Sequence, residues 1–256
     1  MKKNAMWCGM GMMCVLALVA GAEESPATVG LDVPVLSAYA WRGQVLNDKV
    51  VVQPSLTAGK SGFAINTWAN YNANGPYEGE VSEIDLTASY SKSVGPVALG
   101  AGAVLYTFPN QTLAVEEGED TAYPGTVEVY VSAGLPDAPL APTLTVYRDV
   151  DAIDGTYGVL AASHSFALGE MVSLGLSAAL GAADADYNAG YFGVDDAALN
   201  DLTVGASLPI AVTENLAVKP AISYVYLPDS DIRAGAEALY LDKDALVGSV
   251  TLSCAF

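Results

Sequence analysis

The chain has 256 residues, a formal net charge of −19 and a hydrophobic fraction of 52%. So acidic a protein is not expected to bind nucleic acid through a basic patch, and that class of partner is excluded. No apolar stretch after the N-terminal region reaches the roughly 18 residues of a membrane-spanning helix. Abundant glycine (25 residues) and more tyrosine than phenylalanine (14 against 5) instead fit a transmembrane β-barrel, whose apolar residues occupy alternate positions.

Residues 1–22 have the features of a secretory signal peptide. Two lysines precede an apolar run over residues 5–19, and Ala20-Gly21-Ala22 matches the small-residue pattern of a cleavage site. Removal of this segment leaves Cys254 as the one cysteine, so the mature chain is expected to form no intramolecular disulfide. We therefore predict a signal peptide followed by a single barrel over residues 23–256.

A period of two in hydrophobicity recurs along the mature chain and predicts β-strands. On the fourth strand the even-numbered residues from Ile84 to Tyr90 are apolar, while the odd-numbered residues from Glu83 to Ser91 are polar. Most strands reach the length of about 9–11 residues that a tilted strand needs to cross a bilayer. The twelve predicted strands are 28–42, 50–58, 63–73, 81–92, 96–108, 126–134, 142–150, 155–167, 171–182, 201–210, 216–227 and 245–256.

The predicted connections alternate in length. The even-numbered ones are tight, whereas the later odd-numbered ones, at 109–125, 183–200 and 228–244, are long. Short periplasmic turns that alternate with longer external loops are typical of an antiparallel up-and-down outer-membrane barrel with both termini in the periplasm. The predicted fold is thus an all-β, 12-stranded transmembrane barrel. A soluble β-sandwich or barrel is the alternative.

Aromatic residues cluster near the loop-side ends of the predicted strands, which suggests an interfacial girdle. The alternative is that strands favour tyrosine in any case. The residues of this predicted girdle are Tyr39, Trp41, Tyr71, Tyr106, Phe108, Tyr147, Tyr157, Tyr224 and Tyr226.

The last strand ends the chain at Phe256, and Cys254, Leu252 and Val250 precede it at intervals of two. A terminal aromatic residue with alternating apolar residues resembles the signal that barrel-assembly machinery recognises. This machinery and the lipid of the outer membrane are therefore predicted partners.

The segment from Ser37 to Gly43, with the sequence SAYAWRG, and the following VQPSL at 52–56 resemble the opening hairpin of TorF-type putative porins. The strand around Asp85-Leu86, the Tyr106-Thr107-Phe108-Pro109 segment and Val127-Glu128-Val129-Tyr130 resemble later parts of that family. The resemblance covers about the first half of the mature chain. It implies a porin-like outer-membrane barrel and carries no catalytic residues with it.

Charged residues on a lipid-facing surface cost about 2–4 kcal/mol near the bilayer centre for Lys or Arg, so charges within strands should face the lumen. Acids outnumber bases among them by four to two, which would favour cations. The alternative is that they pair with one another and fill a narrow, closed barrel. The predicted pore-lining residues are Asp32, Arg42, Glu83, Asp85, Glu128 and Lys219.

Acidic residues also cluster in three predicted loops, where carboxylates could bind Ca²⁺ or Mg²⁺ or simply form a solvated surface. The only histidine, His164, lies between Ser163 and Ser165, which point to the opposite face of their strand, so it lacks an adjacent serine for lipid hydrolysis. No catalytic, cofactor-binding or metal site is predicted. The clustered acids are Glu116, Glu117, Glu119, Asp120, Asp184, Asp186, Asp195, Asp196, Asp229, Asp231, Asp242 and Asp244.

The function that follows is a porin-like outer-membrane barrel for passive diffusion of small polar solutes, with cations as the favoured class. A structural or adhesive barrel with acidic surface loops and no open pore is the alternative, and a lipid-active enzyme is a third hypothesis.

Overall fold

The structure, a computed structural model, describes residues 27–113 and 121–256. The predicted signal peptide lies outside the described residues, as do Glu116, Glu117, Glu119 and Asp120. The elements are β1 Thr28–Leu36, β2 Tyr39–Trp41, β3 Gln44–Asn47, β4 Val51–Val52, β5 Ser55–Lys60, β6 Phe63–Asn72, β7 Val81–Val94, β8 Val97–Thr107, β9 Thr112–Leu113, β10 Thr121–Ala122, β11 Thr126–Gly134, β12 Thr143–Asp149, β13 Thr156–Ala167, β14 Ser173–Ala183, α1 Ala185–Phe192, β15 Ala198–Ser207, β16 Ile210–Ala211, β17 Leu216–Tyr226, α2 Ser230–Leu239 and β18 Asp244–Ala255.

The long strands pair with their neighbours along the chain, all antiparallel, and form one closed wall. Closure comes from the pairing of β1 with β18, which joins the first strand to the last. The segments β4 and β5 are two parts of one wall strand, interrupted at Pro54, and β16 is a two-residue extension next to a turn. The described residues therefore form a 12-stranded up-and-down barrel, which confirms the predicted fold. Neither described helix is long and apolar enough to cross a membrane.

Side chains alternate between the two faces of the wall as the period of two predicts. On β7 the apolar residues Ile84, Leu86 and Tyr90 point outward and are exposed. On the same strand Glu83 and Thr87 point inward and are each 5% exposed. The other long strands likewise carry their exposed large apolar side chains on the outer face, whereas their inner faces combine polar, small and, near the loop end, packed apolar residues such as Val104 and Val159. An apolar surface therefore surrounds an interior that is more polar than the exterior. An apolar exterior of this kind is what a lipid environment requires.

The two ends of the barrel differ. At one end, here called the turn end, tight connections such as Ser61-Gly62 join the strands. At the other, the loop end, the connections include the hairpin of β2 and β3, the short pair β9–β10 and both helices. The alternation of short and long connections is as predicted.

Two predicted strands differ by three or more residues from the observed ones. The first strand ends at Leu36 rather than at residue 42, because the chain leaves the wall there and enters the β2–β3 hairpin. The tenth begins at Ala198 rather than at residue 201, because a bulge opposite Leu180 and Ala182 lengthens it, and it ends at Ser207 rather than at residue 210. At the loop end, hydrophobic alternation alone does not show where the wall stops.

The loop end holds two packed apolar clusters. One joins Tyr157 and Val159 of the wall to Tyr187 and Phe192 of α1 and Ile232 of α2. The other joins the ends of β1 and β18 to the β2–β3 hairpin, through residues such as Leu36, Tyr39 and Val45. These clusters fix the hairpin and the helices against the inner wall.

Candidate functional site

The β2–β3 hairpin is a two-residue turn with an arginine at its tip. Trp41 pairs with Gln44, and the intervening Arg42 and Gly43 have φ values of +46° and +83°. Positive φ at both central residues is the geometry of a type I′ turn, which glycine adopts without strain. A side chain at Gly43 would collide with Leu227 and approach Asp201, so the tip fits closely against the far wall.

Arg42 joins this tip to β11, which is five strands away from β1 around the wall. Its Nη1 and Nη2 donate hydrogen bonds of 2.7 and 2.8 Å to the two carboxylate oxygens of Glu128. The Arg42 and Glu128 side chains are only 8% and 1% exposed. The Tyr106 hydroxyl donates a further 2.8 Å hydrogen bond to Glu128. A buried, bidentate ion pair therefore holds the hairpin across the lumen.

Aromatic rings surround the Arg42 guanidinium. Its Cζ lies 4.6 Å from the ring centroid of Trp41, 4.3 Å from that of Tyr147 and 4.4 Å from that of Tyr157. The Tyr187 ring of α1 lies at 5.9 Å. These distances are within the range of cation–π attraction, which is strongest where water is excluded.

The predicted aromatic girdle was wrong for five of its members. Tyr39, Trp41, Tyr106, Tyr147 and Tyr157 lie inside the barrel, where they contact Arg42, Glu128 or Glu83. On each of their strands, every second side chain points inward, and these positions include Tyr106, Tyr147 and Tyr157. The alternation along the sequence could therefore have identified them as inward-facing. The members that are exposed on the outer face are Tyr71, Tyr224 and Tyr226.

Three further carboxylates lie near the hairpin on the inner face. Glu83 is buried and accepts a 2.6 Å hydrogen bond from the Tyr39 hydroxyl. Asp85 is the next inward-facing residue of β7, and its Oδ1 is buried without a partner among the described residues. Asp201, which sequence reasoning did not select, is buried and accepts a 2.8 Å hydrogen bond from Tyr157. Asp201 lies at the same alternating positions of its strand as Thr203 and Gly205, which face inward, so the alternation could have identified it.

A network of buried amides supports the other side of the hairpin. Asn47 of β3 donates to Asn72 of β6 at 2.7 Å. Asn70 donates to Asn72 and to Ser82, and Gln53 donates to Asn70. Polar pairing between hairpin and wall, and not apolar contact alone, thus positions the hairpin. Sequence reasoning missed this network because isolated amides have no characteristic spacing.

A cavity of about 90 Å³ remains between the hairpin and the wall formed by β14, β15, β17 and β18. Arg42, Gly43 and Asp201 line its hairpin side. A space of this size holds several water molecules or one small solute. Its wall side carries the small polar residues Ser177, Thr203, Ser207, Ser223 and Ser249.

The six predicted pore-lining residues fall into two groups. Arg42, Glu83, Asp85 and Glu128 come together at the loop end around the hairpin. Asp32 and Lys219 lie nearer the turn end, on β1 and β17, on either side of β18. Asp32 accepts a hydrogen bond from Ser253, also on the inner face of β18. The role of these six residues in lining a pore stays a prediction.

The described acidic clusters have structural roles in part. Asp184 and Asp229 cap the N-termini of α1 and α2, and Asp244 forms a two-bond ion pair with Arg233. Partial burial raises the pKa of Asp184, but hydrogen bonds from Thr156 and Tyr187 outweigh this effect and hold the pKa below its usual value. Within residues 27–113 and 121–256, no group of three His, Cys, Asp or Glu side chains is arranged to hold a metal ion.

His164 lies on the outer face of β13 near the turn end. Its ring contacts that of Phe166 at a centroid distance of 4.5 Å, and its register partner is the outward-facing Leu176. The flanking Ser163 and Ser165 point to the inner face, as the alternation predicts.

Solved structures share this fold at low sequence identity. A structure of the NanC porin is 14% identical, with a TM-score of 0.53, and the match covers 88% of this chain and 98% of that one. An outer membrane channel from Pseudomonas putida F1 is 12% identical, with a TM-score of 0.50, and the match covers 92% of this chain and 98% of that one. The chain thus has the fold of outer-membrane barrels. Among curated proteins, none matches its sequence.

The family assignment comes from the sequence of residues 20–207, which matches a family of bacterial proteins of unknown function, Gcw_chp. The match includes the hairpin, its Arg42 tip and Glu128. The finer resemblance to TorF-type porins stays a prediction. Since the match covers well over half of the sequence, the chain belongs to the Gcw_chp family.

Proposed function

We propose that this protein is an outer-membrane channel for the passive diffusion of small polar solutes. The observation that carries the proposal is the cavity between the hairpin and the β14–β18 wall, which opens onto small polar side chains inside a barrel with an apolar exterior. A solute that crosses such a barrel exchanges hydrogen bonds with water for hydrogen bonds with hydroxyl groups of the wall. The names of the two similar structures, a porin and an outer membrane channel, support the same function.

Much of the inner face beside and below the hairpin favours hydration. Many of its side chains are short and carry a hydroxyl group that can bind water, while Tyr130 and Lys219 are larger inward-facing side chains on the same face. The hydroxyl residues on this part of the inner face include Ser89, Ser91, Ser93, Ser132, Ser163, Ser165, Ser173, Ser177, Ser207, Ser223, Ser249, Thr251 and Ser253.

Acidic residues at the level of the hairpin support a preference for cations over anions. The positive charge of Arg42 is compensated by Glu128, and the carboxyl groups of Glu83, Asp85 and Asp201 lie beside the hairpin, those of Glu83 and Asp201 buried. Ionised acidic side chains at a constriction attract cations and repel anions. We therefore include a preference for small cations in the proposed function.

Reconstitution of the folded barrel tests the proposal. Planar bilayers should show discrete conductance steps, and a KCl gradient should give a reversal potential of the sign expected for K⁺ over Cl⁻. Liposome swelling with neutral solutes of increasing size should show a cut-off among small sugars or amino acids. Correctly folded protein that neither conducts nor permits swelling would overturn the channel function.

A structural or adhesive barrel without an open pore is the second candidate. The observation that favours it is the occupancy of the loop end by the hairpin, α1 and α2, which share a packed apolar cluster with the wall. Lack of conductance, together with binding of cells or lipid surfaces that depends on the loops, is the result expected for this alternative.

We also infer that the barrel lies in the outer membrane with both termini in the periplasm, and that outer-membrane lipid contacts its apolar exterior. The turn end then faces the periplasm and the loop end faces outward. Barrel-assembly machinery is the proposed partner of β18, whose outward-facing residues lead to Phe256, which is 76% exposed. Replacement Phe256→Ala should lower the amount of assembled barrel while leaving export unchanged. Equal assembly of both proteins would contradict this role.

A further inference from the structure

Four inner-wall side chains, Tyr106, Glu128, Tyr147 and Tyr157, enclose the Arg42 guanidinium and are here called the wall cage. We propose that the wall cage is a binding site for solutes that carry a guanidinium group, and that Arg42 occupies it in this structure as an internal ligand. The proposal deepens the channel function, on which it rests, by naming a class of solute and the site that selects it.

The carboxylate of Glu128 is positioned for a planar, forked cation. Both of its oxygens accept a hydrogen bond from Arg42, at 2.7 and 2.8 Å, and the Tyr106 hydroxyl donates to one of the same oxygens. The Tyr106 bond fixes the orientation of the carboxylate. Guanidinium matches two parallel acceptors, whereas an ammonium group presents a point charge and cannot form the same fork. The geometry therefore selects guanidinium over ammonium.

The tyrosine rings provide the second element of recognition. The centroids of Tyr147 and Tyr157 lie 4.3 and 4.4 Å from the Arg42 Cζ, and the two rings are 6.4 Å apart. Weakly hydrated guanidinium loses less than ammonium when it leaves water to contact such rings. Low exposure of Glu128 strengthens both the ion pair and the cation–π attraction.

The wall cage belongs to the barrel and not to the hairpin. Its members lie on β8, β11, β12 and β13, four consecutive wall strands whose register is fixed by antiparallel pairing. Tyr147 on β12 lies directly opposite Tyr157 on the adjacent strand β13. Its ring also contacts that of Tyr130, at a centroid distance of 5.3 Å. Withdrawal of the hairpin would therefore leave the wall cage in place.

A solute can approach this position from the lumen. The cavity beside the hairpin is lined by both Arg42 and Tyr157, so it reaches the edge of the wall cage. Arg42 is tethered close to the site and has a high effective concentration there. A free solute therefore competes poorly with Arg42 while the hairpin is in place, and binds well once Arg42 has moved away or been replaced.

Replacement of Arg42 makes the wall cage available to a probe. Purified, folded Arg42→Ala in detergent is titrated with guanidinium chloride up to about 20 mM at constant ionic strength, a concentration far below that which denatures proteins. We expect a concentration-dependent rise in the melting temperature and a change in Trp41 fluorescence, with ammonium chloride at the same concentration giving a much smaller response of each kind. Arginine amide should act like guanidinium, and lysine amide should bind at least about tenfold more weakly.

The double variant Arg42→Ala/Glu128→Gln is the matched control, because it lacks the carboxylate and should lose the guanidinium response. Should Arg42→Ala fail to fold, Arg42→Lys serves instead, since lysine lacks the fork and is expected to be displaced by guanidinium. Absence of a guanidinium response in whichever variant folds, or an equal response in the double variant, overturns the proposal. These binding readouts need no conductance, so their failure is distinguishable from failure of the channel function.

Discussion

Tyr157 and Asp201 form a buried hydrogen bond of 2.8 Å that passes over an intervening strand of the barrel wall. Tyr157 lies on β13 and Asp201 on β15, and the residue between them on β14 is Gly181. A side chain at Gly181 would collide with both partners. The absence of a side chain there allows Tyr157 to reach Asp201 while its ring faces Arg42.

Gly181→Ala is therefore expected to destabilise the loop end of the barrel. The added methyl group must displace Tyr157 or Asp201, and overpacking of this kind costs about 1–3 kcal/mol. Urea unfolding of the reconstituted protein measures the loss. Gly158→Ala is the control, because a methyl group at Gly158 meets only the Ala182 carbonyl oxygen, at 3.9 Å, and should change the unfolding free energy little. Equal effects of both substitutions would contradict the close approach at Gly181.

Glu128→Gln is expected to release the hairpin from the far wall. The substitution leaves the Arg42 charge buried without a counter-charge, and removal of one partner of a buried pair costs about 3–5 kcal/mol. Because the hairpin crosses the lumen, its release should also increase single-channel conductance. Urea unfolding measures the loss of stability, and planar-bilayer recording measures the conductance. A rise in conductance indicates loss of the hairpin contact, whereas general unfolding would lower conductance.

Glu237→Gln is the matched control for Glu128→Gln. Glu237 pairs with Lys243 at 3.0 Å, but its side chain is 67% exposed, so the pair contributes at most about 1 kcal/mol. We expect unchanged conductance and nearly unchanged stability. A control variant that conducts as strongly as Glu128→Gln would show that the buried pair does not restrict the lumen.

The wall of the barrel could be predicted from sequence because lipid and water impose opposite requirements on adjacent residues. Ile84, Leu86 and Tyr90 had to be separated by polar residues once Glu83 and Asp85 faced inward. The hairpin could not be predicted in this way. The strand predicted over 28–42 continues through Leu36 without a change in composition, and the departure from the wall is fixed by tertiary contacts such as the pairing of Leu36 with Val51.

The site was predicted as a set of residues but not as an arrangement. Lumenal charge identified Arg42 and Glu128, because neither is tolerated in lipid, yet nothing in the spacing of two residues on non-adjacent strands showed that they pair. The helices were also missed. Local sequence features did indicate them: Gly193 follows α1 in the left-handed conformation, and Asp184 and Asp229 cap the two helices. The sequence analysis assigned these residues to loops.

Asp184→Ala should weaken α1 and make its stability less dependent on pH. The side chain of Asp184 accepts hydrogen bonds from Thr156 and Tyr187, both at 2.9 Å, and loss of an N-cap costs about 0.5–2 kcal/mol. Since the pKa of Asp184 is lower in the folded state, its carboxylate stabilises the fold above its unfolded pKa and loses this effect as pH falls through the folded pKa. The stability difference between wild type and Asp184→Ala should therefore shrink below about pH 4.

Melting temperatures measured from neutral pH down to about pH 3 provide the comparison for Asp184. Asp195→Ala, which changes an exposed aspartate after the same helix, is the control and should lower the melting temperature little at any pH. A difference between wild type and Asp184→Ala that grows on acidification would contradict the assigned role.

Cysteine labelling in intact cells tests the proposed orientation of the barrel. Glu78 lies in a loop-end connection and Glu214 in a turn-end connection, and both are exposed. In a Cys254→Ser background, a membrane-impermeant maleimide should modify Glu78→Cys in intact cells and Glu214→Cys only after the outer membrane is permeabilised. The reverse pattern would place the termini outside. Because the hairpin and both helices lie at the loop end, that result would also move the restriction of the lumen to the periplasmic side.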